Sequence, residues 1–382
     1  MSCSQRAVCL LNSLALIFQF GPVTMLASEQ ETSLGEWRVA KPGWNYEFPR
    51  DHGPHRDFKT EWWYFTGNLL DPKGKEFGFQ LTFFREGVRP GVKPKDASRF
   101  RIYEIPFAHF ALTDIAAGNF RFAQRSSRGV FGESGFRDTE SQGGKIAWVE
   151  DWILELLPSA KFHLYAGDKE KDRAVDLILD NESHPLIHGK NGVSPKSETP
   201  GHASHYYSMT SLNSSGSISV DGKVHHVNGL VWFDHEWASN QLELGQSGWD
   251  WTGLHLSNGQ DLMIFQVRDK DGKITFRSGT LRLKNGFVRS LSGQDFVMTP
   301  EGVWKSPHTA GHYPASWSIS IPYDKLIFSI RPKLQDQELV LAPFPYWEGA
   351  VRGEGTMGKK PITAEGYLEM TGYGGRIFGL TQ

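Results

Sequence analysis

Cysteine is almost missing from this chain: 382 residues contain two, Cys3 and Cys9. Both lie in the first 27 residues, which read as a secretory signal peptide. Arg6 precedes an apolar run from Ala7 to Phe20, Gly21-Pro22 follows, and the small residues Ala27-Ser28 suit cleavage after Ala27. The run is shorter than the roughly 20 apolar residues of a membrane span, and no Cys follows it, which excludes a lipoprotein signal. A secreted or periplasmic protein without any cysteine is therefore expected. That excludes disulfides, thiol nucleophiles, Fe–S clusters and Cys-ligated zinc, and leaves stability to packing.

A basic excess is also missing. Lys and Arg number 41 against 43 Asp and Glu, a formal net charge of −2, which argues against a nucleic-acid partner. With 22% charged and 39% apolar residues the chain is neither disordered nor an integral membrane protein. It carries no Gly-x-Ser-x-Gly elbow, no phosphate-binding Gly-rich loop, no dinucleotide fingerprint and no His-Glu-x-x-His helix. Long stretches of helical periodicity are absent too.

What is present is period-two alternation punctuated by turns. Phe77, Phe79, Leu81 and Phe83 point one way while Gly78, Gln80 and Thr82 point the other. Similar strands are read at 61–69, 105–114, 118–124, 145–155, 161–166, 174–180, 204–212, 216–220, 224–237, 249–257, 261–268, 274–283, 316–321 and 325–331. Asp221-Gly222, Asn258-Gly259, Asp271-Gly272 and Asn285-Gly286 fall between runs, where tight hairpins need positive φ. The chain is expected to be all-β. A repeat points to two antiparallel barrels: Trp63-x3-Gly67 with Phe79-Gln80-Leu81 recurs as Trp249-x3-Gly253 with Phe265-Gln266-Val267, offset by 186 positions. The expected division is a signal peptide at 1–27 and domains at 36–240 and 241–382.

The aromatic excess, 13 Trp, 11 Tyr and 25 Phe, gathers with ionisable residues in three clusters. In Glu61-Trp62-Trp63-Tyr64, alternation puts Glu61 and Trp63 on one face, where an apolar setting would raise a carboxyl pKa or, equally, Glu61 would take backbone hydrogen bonds. In Trp232-Phe233-Asp234-His235-Glu236-Trp237, Phe233, His235 and Trp237 share one face, and Asp234 and Glu236 the other. An imidazole between aromatic rings suits protonation of an apolar substrate and stabilisation of a cation. In Ser204-His205-Tyr206-Tyr207-Ser208, His205 and Tyr207 share a face. Histidines and carboxylates in these clusters suffice chemically for a metal, but no ligand spacing demands one, and none is expected.

Taken in order, Glu61-Trp-Trp-Tyr-x-x-Gly-Asn-Leu69, Ser204-His-Tyr-Tyr-Ser208, Asp234-His-Glu-Trp237, Gly248-Trp-Asp-Trp251 and Gly366-Tyr-Leu-Glu-Met-Thr-Gly-Tyr373 resemble the AttH/carotenoid 1,2-hydratase family from about residue 36 to the end. The resemblance implies two lipocalin-like β-barrels and cofactor-free addition of water to an isoprenoid double bond. On this chain it implies His235, Trp237, Asp234 and Glu236 as catalytic residues, with Glu61, Trp63, His205, Tyr207, Trp249 and Trp251 contacting substrate. Where hydratases use a tyrosine and an aspartate, this chain has Phe265 and Arg268, which moves the expected acid to Asp250 or Glu61. The function expected is a hydratase or hydrolase acting on a hydrophobic isoprenoid or lipid. The alternatives are a lipid carrier associated with an ABC transporter, or a carbohydrate-binding module.

Overall fold

The computed structural model describes residues 36–375 apart from 99, 140–142, 169, 171 and 182–183. The expected signal segment, 1–27, lies outside the described residues. Among these there is no α-helix, only short 3-10 turns such as Arg50–His52 and Pro322–Asp324, so no helix is long and apolar enough to cross a membrane.

The first sheet begins with four long meandering strands, β1 (Thr60–Leu70), β2 (Glu76–Gly87), β3 (Glu104–Asp114) and β4 (Asn119–Ser126). Shorter strands follow: β5 (Ser134–Phe136), β6 (Gly144–Val149), β7 (Trp152–Leu156), β8 (Phe162–Asp168), β9 (Arg173–Asn181), β10 (Leu186–Ile187) and β11 (Ser194–Pro195). Two long ones, β12 (Ala203–Val220) and β13 (Lys223–Ala238), complete it. The second sheet comprises β14 (Gln246–Leu256), β15 (Asp261–Asp269), β16 (Ile274–Arg282), β17 (Val288–Ser292) and β18 (Val297–Lys305). It continues through β19 (His312–Ile321), β20 (Leu326–Pro332), β21 (Glu338–Leu339), β22 (Tyr346–Met357) and β23 (Lys360–Thr371).

The order β4-β3-β2-β1-β13-β12-β9-β8-β7-β6-β5 in one sheet is matched by β17-β16-β15-β14-β23-β22-β20-β19-β18 in the other. Each is a curled antiparallel half-barrel in which a meander is closed by the last strand pairing with the first, so β14 stands where β1 does and β23 where β13 does. The duplication expected from the sequence is visible as shared strand order. All four Asx-Gly pairs named above sit at hairpins, and their glycines have φ between +76° and +84°.

The 186-residue repeat nevertheless pairs residues that face opposite ways. Trp63 and Phe79 fill the interior of the first half-barrel, whereas Trp249 and Phe265 pack between the sheets. Gln80 lines the space between the sheets, while Gln266 turns into the second half-barrel and donates to Asp250 Oδ2 at 3.0 Å. The motif repeats in residue type, but the two copies differ by a step of one in facing, and one step flips every side chain of a strand.

Strands 204–212 and 216–220 are one strand, β12, with a register shift between Met209 and Leu212. The sequence reading missed β5, β10, β11, β17, β18, β21, β22 and β23, and its strand 145–155 is two strands, β6 and β7. In β22 and β23, Gly349, Gly353, Gly366 and Ala364 share the inward face with Trp347, Val351, Ile362, Leu368 and Met370, so small residues interrupt the apolar alternation.

Four groups of buried residues result among the described residues: one in each half-barrel, one between them built from Tyr64, Tyr206, Trp232, Trp251, Met263, Phe265 and Tyr367, and a small one of Ala111, Leu339 and Tyr346. The sheets approach closely: a Cβ at Gly78 would lie 2.6 Å from the Tyr367 hydroxyl and 3.0 Å from Ala350 Cβ.

Candidate functional site

Strand alternation on β13 divides the expected catalytic residues. Phe233, His235 and Trp237 point into the first half-barrel, and Asp234 and Glu236 point toward the second sheet, where they line a cavity of about 540 Å³. The cavity wall is largely aromatic, with Trp62, Tyr64, Phe84, Phe107, Trp249, Trp251 and Phe265. Into it the second sheet contributes Glu348 from β22 and Glu369 from β23, directly paired across the two strands.

Burial raises the pKa of both carboxyls. Burial, the charge of Glu369 and that of Asp234 raise Glu348 well above the ordinary carboxyl value, against the hydrogen bond from Tyr64. The Tyr64 hydroxyl, from the opposite sheet, donates to Glu348 Oε1 at 2.5 Å, and Glu348 Oε2 is buried without a partner. Burial likewise pushes Glu369 up to about 7, although Trp249 Nε1 donates to it at 2.9 Å. Asp234 also rises to about 7 by burial, against donors from Tyr206 at 2.7 Å, Trp232 Nε1 at 2.6 Å and Ser208. Glu236 forms an ion pair with Lys196, whose Nζ lies 2.7 Å away. A proton acceptor is present too: burial pushes His109, on β3, down to about 3. Its Nδ1 bonds the Tyr346 hydroxyl at 2.9 Å and its Nε2 is unpartnered. An imidazole lowered by burial and carboxyls raised by it, lining one cavity, form an acid–base set.

The remaining expected residues meet in the first half-barrel. Glu61 Oε1 lies 2.7 Å from His55 Nδ1 and 2.9 Å from His235 Nε2, and its Oε2 accepts from Arg85 Nε at 2.8 Å. Trp63 stacks on His235 with ring centres 4.6 Å apart, and Trp237 stacks on His55 at 3.7 Å. The Tyr207 hydroxyl bonds His52 at 2.7 Å, and His205 Nδ1 donates to Gly192 O at 2.9 Å. Thus Glu61, Trp63, His205, Tyr207, His235 and Trp237 cluster on one side of the sheet, and Asp234, Glu236, Trp249 and Trp251 on the other.

The two acids considered from the sequence are both paired with an arginine. Glu61 touches the cavity wall, yet although burial pushes its pKa up, His55 and Arg85 hold it well below the carboxylate range. Asp250 lies inside the second half-barrel, paired with Arg268 Nε at 2.9 Å and accepting from the Tyr373 hydroxyl at 3.0 Å. Sequence reasoning did not single out His109, Glu348 or Glu369. The one signal was Glu369, the sole charged residue in Tyr367-Leu-Glu-Met370.

The AttH-like family model matches residues 39–373. The chain belongs to the AttH-like family. AttH from Nitrosomonas europaea is 33% identical, covering 88% of this chain and 99% of its own, with a TM-score of 0.78. Kievitone hydratase from Nectria haematococca shares the fold at 17% identity and a TM-score of 0.62, covering 89% of this chain and 94% of its own. A dehydratase of Emericella nidulans, AsqC, is 23% identical over 170 residues, 42% of this chain and 47% of that protein. The chain thus matches about half the length of this curated relative.

Proposed function

We propose that this AttH-like protein is a hydratase or dehydratase type of enzyme that binds an apolar, unsaturated substrate between its two half-barrels. The observation that carries the reading is the pair Glu348 and Glu369, buried carboxyls that face each other on an aromatic wall and whose pKa burial raises. In the hydration direction a carboxyl O–H gives its proton to the less substituted alkene carbon. The cation that forms on the neighbouring carbon sits against indole faces such as Trp249 and Trp251. Water adds its oxygen to that carbon, and the excess proton passes to His109 Nε2 and from there, through solvent, back to the carboxylate. Dehydration is the same path reversed. The names of the hydratase and the dehydratase similar to this chain agree with this chemistry, and an isoprenoid or lipid substrate with secretion after cleavage near Ala27 completes the proposal.

The test is incubation of purified protein with acyclic terpenoid, prenylated phenol and unsaturated lipid panels in ¹⁸O-water, beside Glu348→Gln. Incorporation of ¹⁸O by the wild type and its loss in the variant is the expected result. Ligand binding without turnover across all panels would replace the enzyme with a carrier, the reading that the aromatic wall alone favours.

A further inference from the structure

The polar cluster inside the first half-barrel lies outside the cavity chemistry and has a construction of its own. We propose that His55, Glu61 and His235 form a binding site for a divalent transition-metal ion of the zinc type, with Asp51 orienting both histidines. His55 Nδ1, Glu61 Oε1 and His235 Nε2 lie within 4.8 Å of one another. Two imidazole nitrogens and one carboxylate oxygen form a ligand set that such ions accept.

The second observation is the support behind each ligand. A metal-bound histidine donates its other ring N–H to a carboxylate or a carbonyl, which fixes the tautomer. Both histidines do this here, and to the same residue. His55 Nε2 lies 3.2 Å from Asp51 Oδ1, and His235 Nδ1 lies 3.0 Å from the Asp51 carbonyl. A carbonyl oxygen only accepts, so His235 Nδ1 carries the hydrogen and its Nε2 is the free ligand nitrogen, aimed at Glu61. Arg85 Nε holds Glu61 Oε2 at 2.8 Å, and the His55 amide is shared between Oε2 at 2.9 Å and Oε1 at 3.1 Å, so Oε1, the oxygen facing both imidazoles, is the coordinating atom. Stacking of Trp237 on His55 and of Trp63 on His235 fixes both ring planes.

Access comes from outside the sheet. A cleft of about 500 Å³ bounded by Trp44, Asp51, His55 and Phe58 opens beside the cluster. The segment carrying Asp51 and His55 crosses the end of the half-barrel, whereas Glu61 and His235 sit on paired strands. A metal here would pin that segment to β1 and β13. Glu61 and His235 are 174 positions apart, which explains why no ligand spacing marks the site in the sequence.

To test this, tag-free protein is stripped with chelator, dialysed against low-micromolar Zn²⁺ and analysed for bound metal, with Co²⁺ absorption as a direct report on nitrogen and oxygen ligands. Expected is one equivalent in the wild type and in His308→Gln, none in Glu61→Gln, and about 10- to 100-fold weaker binding in Asp51→Asn, which keeps all three ligands. Circular dichroism checks each fold; if Glu61→Gln does not fold, Asp51→Asn and the Co²⁺ spectrum of the wild type decide. Absence of bound metal in the wild type, or binding unchanged by both Glu61→Gln and Asp51→Asn, overturns the site. Neither result depends on turnover in the cavity, so the two proposals fail separately.

Discussion

The two half-barrels share a strand order and each buries one carboxylate against one arginine, Glu61 with Arg85 and Asp250 with Arg268. They differ in what surrounds the pair. Glu61 is enclosed by two histidines, and Asp250 by Gln266 and Tyr373. Between the sheets the arrangement is reversed: Glu348 and Glu369 face each other, and neither is in ion-pair contact with an arginine or lysine, Lys196 acting on Glu369 only from a distance. Burial penalises every charge, so a carboxyl with a cation stays ionised and one without it keeps its proton. Ion-paired carboxylates inside the half-barrels and unpaired buried carboxyls between them set the interiors apart from the cavity, where proton transfer is proposed.

The largest break in that comparison is Glu348→Gln. It preserves the shape and the acceptor for Tyr64 and removes the proton, so substrate turnover should fall by about 10²- to 10⁴-fold while the denaturation midpoint stays near that of the wild type. Equal turnover in a steady-state assay would take Glu348 out of the chemistry. Removal of an arginine separates the two interiors. Arg268→Met leaves Asp250 with neutral partners and should cost about 3–5 kcal/mol in urea denaturation. Arg85→Met should cost less, because His55 and His235 remain on Glu61. The reverse order would show that the histidines add no favourable charge.

A smaller effect belongs to the seam between the sheets. In Gly78→Val, the new side chain meets the Tyr367 hydroxyl and Ala350. A loss of about 1–3 kcal/mol is expected from such overpacking, with weaker binding of apolar fluorescent probes in the cavity. Unchanged probe affinity would mean that the spacing of the sheets does not set the cavity's size.

Much of this was legible in the sequence. Period-two alternation set His235 and Trp237 apart from Asp234 and Glu236 and identified β1, β2 and β13, because large apolar residues alternate there. It did not reveal which face met another sheet, since both faces of β13 are buried and aromatic. The Trp63/Trp249 repeat was visible as residue types, but the facing of a strand is fixed by its partners, and those differ. Glu348 and Glu369 escaped notice because on their strands Gly349, Ala364 and Gly366 interrupt the row of large inward residues, Trp347, Val351, Ile362, Leu368 and Met370, and break the alternation that announces a strand. The Asp51, His55, Glu61 and His235 cluster joins residues distant in sequence, and only pairing of β1 with β13 assembles it.

The finest test of the comparison is its pH dependence. Glu369 is raised from an ordinary value near 4.5 to about 7. It faces Glu348 from β22, Asp234 and Glu236 from β13, Lys196 from the connecting loop and Trp249 from β14, with Tyr64 of β1 reaching Glu348. Between these pH values the folded state keeps a proton that the unfolded state has released. Stability from this group is therefore fully present below about 4.5 and is lost as pH rises toward 7, with a slope of at most about 1.4 kcal/mol per unit. Glu348 and Asp234 add slopes of the same sign, so Glu369→Gln should flatten the profile without abolishing it. Denaturation of the wild type and the variant at pH 5, 6, 7 and 8 reads the difference directly. A wild-type stability that rises across this range would mean that the cavity carboxyls are ionised, like those inside the half-barrels, and the contrast between the two environments would disappear.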